Sequence, residues 1–291
     1  MIVERAPAKI NLALHIRHRR PDGYHELETL FAFAADGDTV TVVPAERDGF
    51  TITGPFAEAL KTSPERGGGP PAQPMVEGQP RATNLVERAA QTFCRTFRID
   101  QPHAITLDKH LPIASGIGGG SADAAAALRA LAGLHAIAPE DPRLFVIAES
   151  LGADVPACLL GRTTLGTGKG EALIPVHGLA GTPLLLVNPG VAVSTGAVFA
   201  RWDGEDRGSI AADGDLLARA IAGRNDLEAP ALQLAPSIAD VLSALRAGDG
   251  VLLARMSGSG ATCFALLADE STRDAAAAAM PHYWTLATTL T

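Results

Sequence analysis

Residues 112–126, PIASGIGGGSADAAA, constrain this chain more than any other stretch. Gly116, Gly118, Gly119 and Gly120 leave the backbone almost bare of side chains, and the alanine-rich run that follows as far as Leu134 favours a helix. A glycine turn feeding a helix N-terminus presents a concave set of N–H donors at the positive end of the helix dipole, a ready place for phosphate. Glycine suits such a place because some positions need positive φ and because a Cβ would hold the phosphate oxygens off. A tight turn followed by a Ser121 N-cap would use the same residues, so the run alone does not name a ligand.

Two familiar phosphate motifs are excluded. The chain has no G-x-x-x-x-G-K-[ST]. Gly116-x-Gly118 matches part of a dinucleotide fingerprint, but Ser121 stands where its third glycine belongs. Pro112, in KHLPIAS, sits where a buried parallel strand would be needed. Charge narrows the partners: 24 basic against 32 acidic residues give a net charge of −8, unsuited to nucleic acid or to an anionic membrane. An anionic small substrate then needs local donors. No stretch approaches the ~20 uninterrupted apolar residues of a membrane span. MIVERAPAK carries charges where an export signal needs its apolar region, so a cytoplasmic protein is expected. Cys94, Cys158 and Cys263 lack C-x-x-C spacing and read as buried, reduced thiols.

The order of elements predicts an α+β protein. Residues 2–17 alternate, with Ile10, Leu12, Leu14 and Ile16 on one face and Lys9, Asn11, Ala13, His15 and Arg17 on the other. Arg20-Pro21-Asp22-Gly23 is turn chemistry, and a strand from Tyr24 to about Phe33 pairs back as a hairpin. Strands are expected at 38–44, 50–54 and 103–109, and a Pro- and Gly-rich surface insertion at 55–82. A helix from Thr83 or Asn84 to Phe97 buries Leu85, Val86, Ala89, Ala90 and Phe93, and another covers 141–152. The second half predicts a hairpin near 163–175, a strand at 183–189, and helices at 194–202, 213–222 and 236–247. It ends on a strand–turn–strand, VLLARMSGSGATCFALLAD. At 291 residues, two domains are expected, 1–162 and 163–291.

Three constellations bear chemistry. Lys9 and Asn11 share a strand face, which is either a cleft wall or the solvated side of an edge strand. Asp154, in GADVP, is a cap, a surface turn residue or a buried functional carboxylate. Tyr24 and His25 follow the turn as a stacking ring beside a hydrogen-bonding ring, or they pack a hairpin end. A phosphate loop, a strand lysine and a sheltered aspartate together suggest phosphoryl transfer to an alcohol.

The chain resembles the GHMP kinase superfamily, whose central signature is P-x-x-x-G-L-G-[GS]-S-[SA]-A. The resemblance runs nearly end to end. It is carried by PAKINLALHIRHRRPDGYHELET, TNLVERAA, PIASGIGGGSADAAAALRAL, LGADVPACLLGRTTLGTGKGE, PLLLVNPGVAVSTGAVF, NDLE and MSGSGATCFALL. PAKINL…DGYHEL and GADVP are similar to the branch that phosphorylates a cytidine-diphosphate-linked erythritol on a route to isoprenoids. Homoserine- or mevalonate-type kinases, or a non-catalytic nucleotide-binding relative, are the alternatives; the first two leave YH and GADVP unexplained. The resemblance implies a ribosomal S5 domain 2-like N-terminal domain and a ferredoxin-like C-terminal domain. It implies Asp154 as general base with Lys9 as its partner. Pro112, Ile113, Ala114, Ser115, Gly116, Ile117, Gly118, Gly119, Gly120 and Ser121 would bind ATP phosphates, with Asn84 and Lys109 nearby. Asn11, Tyr24, His25, Thr195 and Phe199 would line the cytidine site, Tyr24 and Phe199 stacking and His25 reading the ring edge. Mg²⁺ is expected to arrive with ATP, touched by Ser121, and no metal ligand is named. The expected assembly is a monomer or homodimer. Ile117 departs from the usual Leu and Ala122 from a second Ser; neither disturbs a site built from backbone.

Overall fold

The computed structural model describes residues 1–62 and 84–291, so the expected insertion lies outside the described residues from position 63 to its end. The chain forms two compact units, both discontinuous. Met1–Pro7, Gly37–Ile113 and Gly119–Leu160 make the first; Ala8–Asp36, Ala114–Gly118 and Gly161–Thr291 make the second. One junction, Leu160/Gly161, falls beside the 162/163 division read from the sequence. The others fall inside two strands and the glycine run.

Strands β1 (Ile2–Arg19) and β2 (His25–Pro44) contribute to both units. The remaining elements of the first unit are β3 (Gly49–Thr53), α1 (Ala57–Thr62), α2 (Leu85–Phe97), β4 (His103–Asp108), α3 (Gly119–Leu134), α4 (Pro142–Leu151) and α5 (Val155–Leu160). β4 pairs antiparallel with the second half of β2, from Thr39↔Asp108 to Pro44↔His103, and parallel with β3. α3 packs among α2, α4 and α5. Its small side chains make this possible: every residue from Ala122 to Leu128 is buried, so neighbours approach on nearly all sides. α2 starts where the sequence indicated, its Asn84 side chain accepting from the Val86 N–H at 2.8 Å. Asp141 caps α4 through Arg143 N–H, with Pro142 in the first turn.

The second unit adds β5 (Thr164–Thr167), β6 (Ala172–Pro175), β7 (Pro183–Asn188), α6 (Thr195–Phe199), α7 (Leu216–Ala222), α8 (Glu228–Leu234), α9 (Ser237–Arg246), β8 (Val251–Met256), β9 (Cys263–Leu267), α10 (Glu270–Ala278) and β10 (Trp284–Thr289). β5 and β6 form the expected hairpin, and β5 pairs with the first half of β2. The order β10-β7-β9-β8, antiparallel throughout, is the ferredoxin-like arrangement expected of this half. Its core joins Leu185 and Val187 of β7 to Ile238, Val241, Leu242 and Leu245 of α9. Leu14 and Ile16 of β1 pack into the same cluster. No helix among the described residues is long and apolar enough to cross a membrane.

Several expectations need correction. β2 is one strand where two were expected, because Ala35-Asp36-Gly37 stays extended. Gly37 does not turn the chain; it admits the Ala6 carbonyl, which a Cβ at position 37 would meet at 2.1 Å. Ser121 is not an N-cap, since α3 already begins at Gly119. Cys158 and Cys263 are buried as expected, but Cys94 is only half-buried. Helices α1, α5, α8 and α10 and strand β10 were not anticipated.

Gly37→Ala is expected to destabilise the protein by about 1–3 kcal/mol or more, because the clash is with backbone that cannot swing away. A thermal midpoint equal to that of the unaltered protein would contradict this.

Candidate active site

In the second unit, β1 carries Lys9 and Asn11 on adjacent same-face positions, and both are buried. Their face is not the solvated side of an edge strand. From Ala8 to Ile16 both faces of β1 are covered. The Lys9 ammonium donates to Asn11 Oδ1 at 2.9 Å and lies 5.3 Å from the centre of the Phe31 ring. Asn11 Nδ2 donates to Thr29 Oγ1 at 2.7 Å, and that hydroxyl donates to the Ala13 carbonyl at 2.8 Å. The chain of donors fixes the Asn11 amide with its oxygen toward Lys9, which orients the ammonium.

The segment Ala114–Gly118 lies beside this strand. Lys9 N–H donates to the Ile117 carbonyl at 3.0 Å, and a Cβ on Gly118 would stand 2.9 Å from Lys9 Cε. Gly116 and Gly118 hold φ of 76° and 64°, the left-handed conformations expected of the run. Ala114 adopts φ 50° without being glycine, a strained residue that sequence did not reveal. Ile117 is fully buried and anchors the loop. The turn Ser257–Gly260 closes on it from the other side. Ser257 Oγ donates to the Gly116 carbonyl at 2.9 Å and accepts from Asn11 N–H at 3.2 Å, and Thr262 N–H reaches the Ser115 carbonyl.

The aromatic group belongs to the same unit. Gly23, with φ 88°, completes the turn, and Arg20 N–H donates to the Tyr24 carbonyl. His25 stacks on Phe199, ring centres 4.9 Å apart and planes 28° from parallel, and meets Trp202 at right angles. Tyr24 carries the Lys169 ammonium 4.9 Å from its ring centre. Thr195, opening α6, shares a 2.9 Å hydrogen bond with Ser259. Burial, with help from Arg19, pulls the His25 imidazole below its ordinary value, so it stays neutral near pH 7 with one donor and one acceptor nitrogen.

The first unit holds the rest. Gly119 and Gly120 open α3, and Ser121 lies in its first turn. Gly120 has Leu85 of α2 beside it, which brings the Asn84 cap to the same end. Pro112 is buried and Ile113 half-buried. Lys109 is not extended toward an open cradle: its ammonium is buried against Asp38 Oδ2 at 2.5 Å and Asp123 Oδ2 at 2.8 Å. Asp154 is half-buried immediately before α5, and its carbonyl accepts from Cys158 N–H. Sequence reasoning missed Asp38 and Asp123, whose partners are remote in the chain, and Ser257 as the contact of the glycine run.

Two family models match the chain: the GHMP kinases N-terminal domain over residues 84–162 and the GHMP kinases C-terminal domain over 208–286. A relative from Rhizorhabdus wittichii, called 4-diphosphocytidyl-2-C-methyl-D-erythritol kinase, is 52% identical over 99% of this chain and 94% of its own length. A crystal structure of 4-(cytidine 5'-diphospho)-2C-methyl-D-erythritol kinase superposes with a TM-score of 0.77 at 35% identity, covering 99% of each chain. A homoserine kinase from Cytophaga hutchinsonii, at 20% identity, covers 99% of this chain and 94% of its own with a TM-score of 0.66, and so shares the fold. The chain belongs to the GHMP kinase family, on the branch of the 4-diphosphocytidyl-2-C-methyl-D-erythritol kinases.

A depressed imidazole contributes stability that is present above its unfolded value and lost as pH falls through the folded one. His25 is therefore expected to titrate below the ordinary 6.5 by NMR, and the thermal midpoint to fall as pH drops past that value. A His25 that titrates at or above 6.5 would contradict the burial argument.

Proposed function

We propose that the protein transfers the γ-phosphate of ATP to the 2-hydroxyl of 4-diphosphocytidyl-2-C-methyl-D-erythritol, yielding the 2-phosphate and ADP. The observation that carries this reading is the nearly full-length likeness to kinases of that name, together with a neutral His25 stacked on Phe199. A cytosine presents a flat face and a mixed donor–acceptor edge. Phe199 and Tyr24 offer faces, and a neutral imidazole offers both a donor and an acceptor. Thr195 and Asn11 complete the proposed substrate-contacting set.

In the transfer, the substrate hydroxyl oxygen attacks the γ-phosphorus, the bond from that phosphorus to the β–γ bridging oxygen breaks, and ADP leaves. Asp154 takes the hydroxyl proton. Lys9, held by Asn11, offsets negative charge on the transferred group. The backbone N–H groups of Ala114–Ser121 bind the phosphates, at Gly119–Ser121 with the aid of the α3 dipole. Mg²⁺ bound with ATP would supply neutralisation of phosphate charge, and Ser121 is the proposed protein contact to it. Among the described residues no group of three His, Cys, Asp or Glu is arranged to hold a metal.

ATP offered with the cytidine substrate, homoserine or mevalonate separates the branches of the family: ADP release is expected with the first alone. Asp154→Asn keeps shape and removes the proton acceptor, so turnover is expected to fall by ~10²–10⁴ with substrate binding retained. Lys9→Met should lose comparably, and the double variant should lose little more than either. Near-normal turnover in Asp154→Asn removes it as base. His25→Ala should raise KM for the cytidine substrate and erode preference over a uridine analogue, with ATP binding intact. Unchanged preference would reduce His25 to packing.

A further inference from the structure

We propose that Asp38, Lys109 and Asp123 form a buried strut that sets the first turn of α3 for phosphate, making Asp38 and Asp123 positioning residues for the nucleotide. This rests on the nucleotide reading above. All three side chains are at most 3% exposed. Lys109 joins Asp38 of β2 to Asp123 of α3, with bonds of 2.5 Å and 2.8 Å. Asp38 spends its other oxygen on the backbone N–H groups of His110 and Leu111, at 2.5 Å and 2.8 Å. One ammonium thus ties together β2, the segment entering the glycine run, and the helix leaving it. Gly119 sits directly over the knot: a Cβ there would lie 3.0 Å from the Lys109 ammonium.

Charge explains why the knot serves position and not direct phosphate binding. Burial alone would lower the Lys109 ammonium, but Asp123 and Asp38 outweigh it and hold it charged. Burial pushes the Asp123 carboxyl well above the usual carboxylate range; Lys109 pulls it down and Asp38 pushes it up again. The Lys109 ammonium stands between the two carboxyl groups, so the charge behind the helix N-terminus is shared within the triad and not left bare toward an incoming phosphate. A lysine already matched to two carboxyl groups has little charge left for ATP. The second Asp123 oxygen has no hydrogen-bond partner among the described residues.

The two roles for Lys109 predict opposite signs. Asp123→Ala cuts the strut but frees the ammonium. If the strut positions the helix, the Kd for ATP should rise by ~10-fold or more, with kcat at saturating ATP within about threefold and KM for the cytidine substrate unchanged. Amide hydrogen exchange over residues 119–124 should accelerate in the ATP-free protein. Asp123→Asn, which keeps an oxygen for Lys109, should bind ATP within about threefold of the unaltered protein. Tighter ATP binding in Asp123→Ala would mean that the freed lysine reaches the phosphates. Unchanged binding and exchange would mean that the turn needs no strut, and either result overturns the proposal. Asp123→Val fills the space without a buried charge and gives the same readings if Asp123→Ala does not fold. An unaltered protein that binds no ATP would sink the nucleotide reading, while the exchange measurement would still decide whether the strut exists.

Discussion

One buried hydroxyl keeps the chemistry-bearing segments of the second unit in register. Ser257 is wholly inaccessible, takes the Asn11 N–H and gives its own proton to the Gly116 carbonyl. Without it a buried donor on β1 and a half-buried acceptor in the glycine run lose partners together, the donor at a cost of ~1–3 kcal/mol. The approach is possible only because position 116 has no side chain, since a Cβ there would stand 2.4 Å from the Ser257 carbonyl. Ser257 is itself held in place. Asn225 donates to the carbonyls of Met256 and Gly258, and its own oxygen accepts from Leu227 N–H. The NDLE run thus braces the SGSG turn, and that turn clamps the loop.

The clamp matters because of what β1 carries. A buried ammonium is costly to leave without partners, and Lys9 is met by the Asn11 oxygen and the face of Phe31. Asn11 is fixed in turn by Thr29, and Thr29 by the Ala13 carbonyl. Each donor is already oriented before any ligand arrives. Electrostatic help supplied this way needs no rearrangement as charge develops on a transferred group. The first unit applies the same principle with ions: Asp38, Lys109 and Asp123 fasten the start of α3.

Much of the local structure was legible in the chain. The alternation over 2–17 indicated β1, Asn84 the start of α2, and the pattern over 141–152 indicated α4, because each is settled by contacts within a few residues. The misses have equally local explanations. Gly37 looks like a break but stays extended to admit another strand's carbonyl. α8 contains Pro230 in its first turn and is short, so its pattern is weak. β10 buries little more than Thr288 and gains its place by pairing with β7. Ala114 takes a conformation that its residue type disfavours, and nothing adjacent in sequence announces it.

The sequence by itself determined the family, the phosphate-ready glycine run and the residue types for phosphoryl transfer, since motifs and periodicities are written in consecutive positions. It left open whether Lys9 and Asn11 faced solvent and whether Tyr24 and His25 were more than a hairpin end, and it placed Lys109 with the nucleotide without its carboxylate partners. Only the tertiary structure decided that Lys9 is buried and held by Asn11, that His25 lies on Phe199, and that Lys109 is matched to Asp38 and Asp123. The reason is physical. Burial, and the partner a buried charge must find, depend on segments tens to hundreds of residues away, and no local pattern carries that distance.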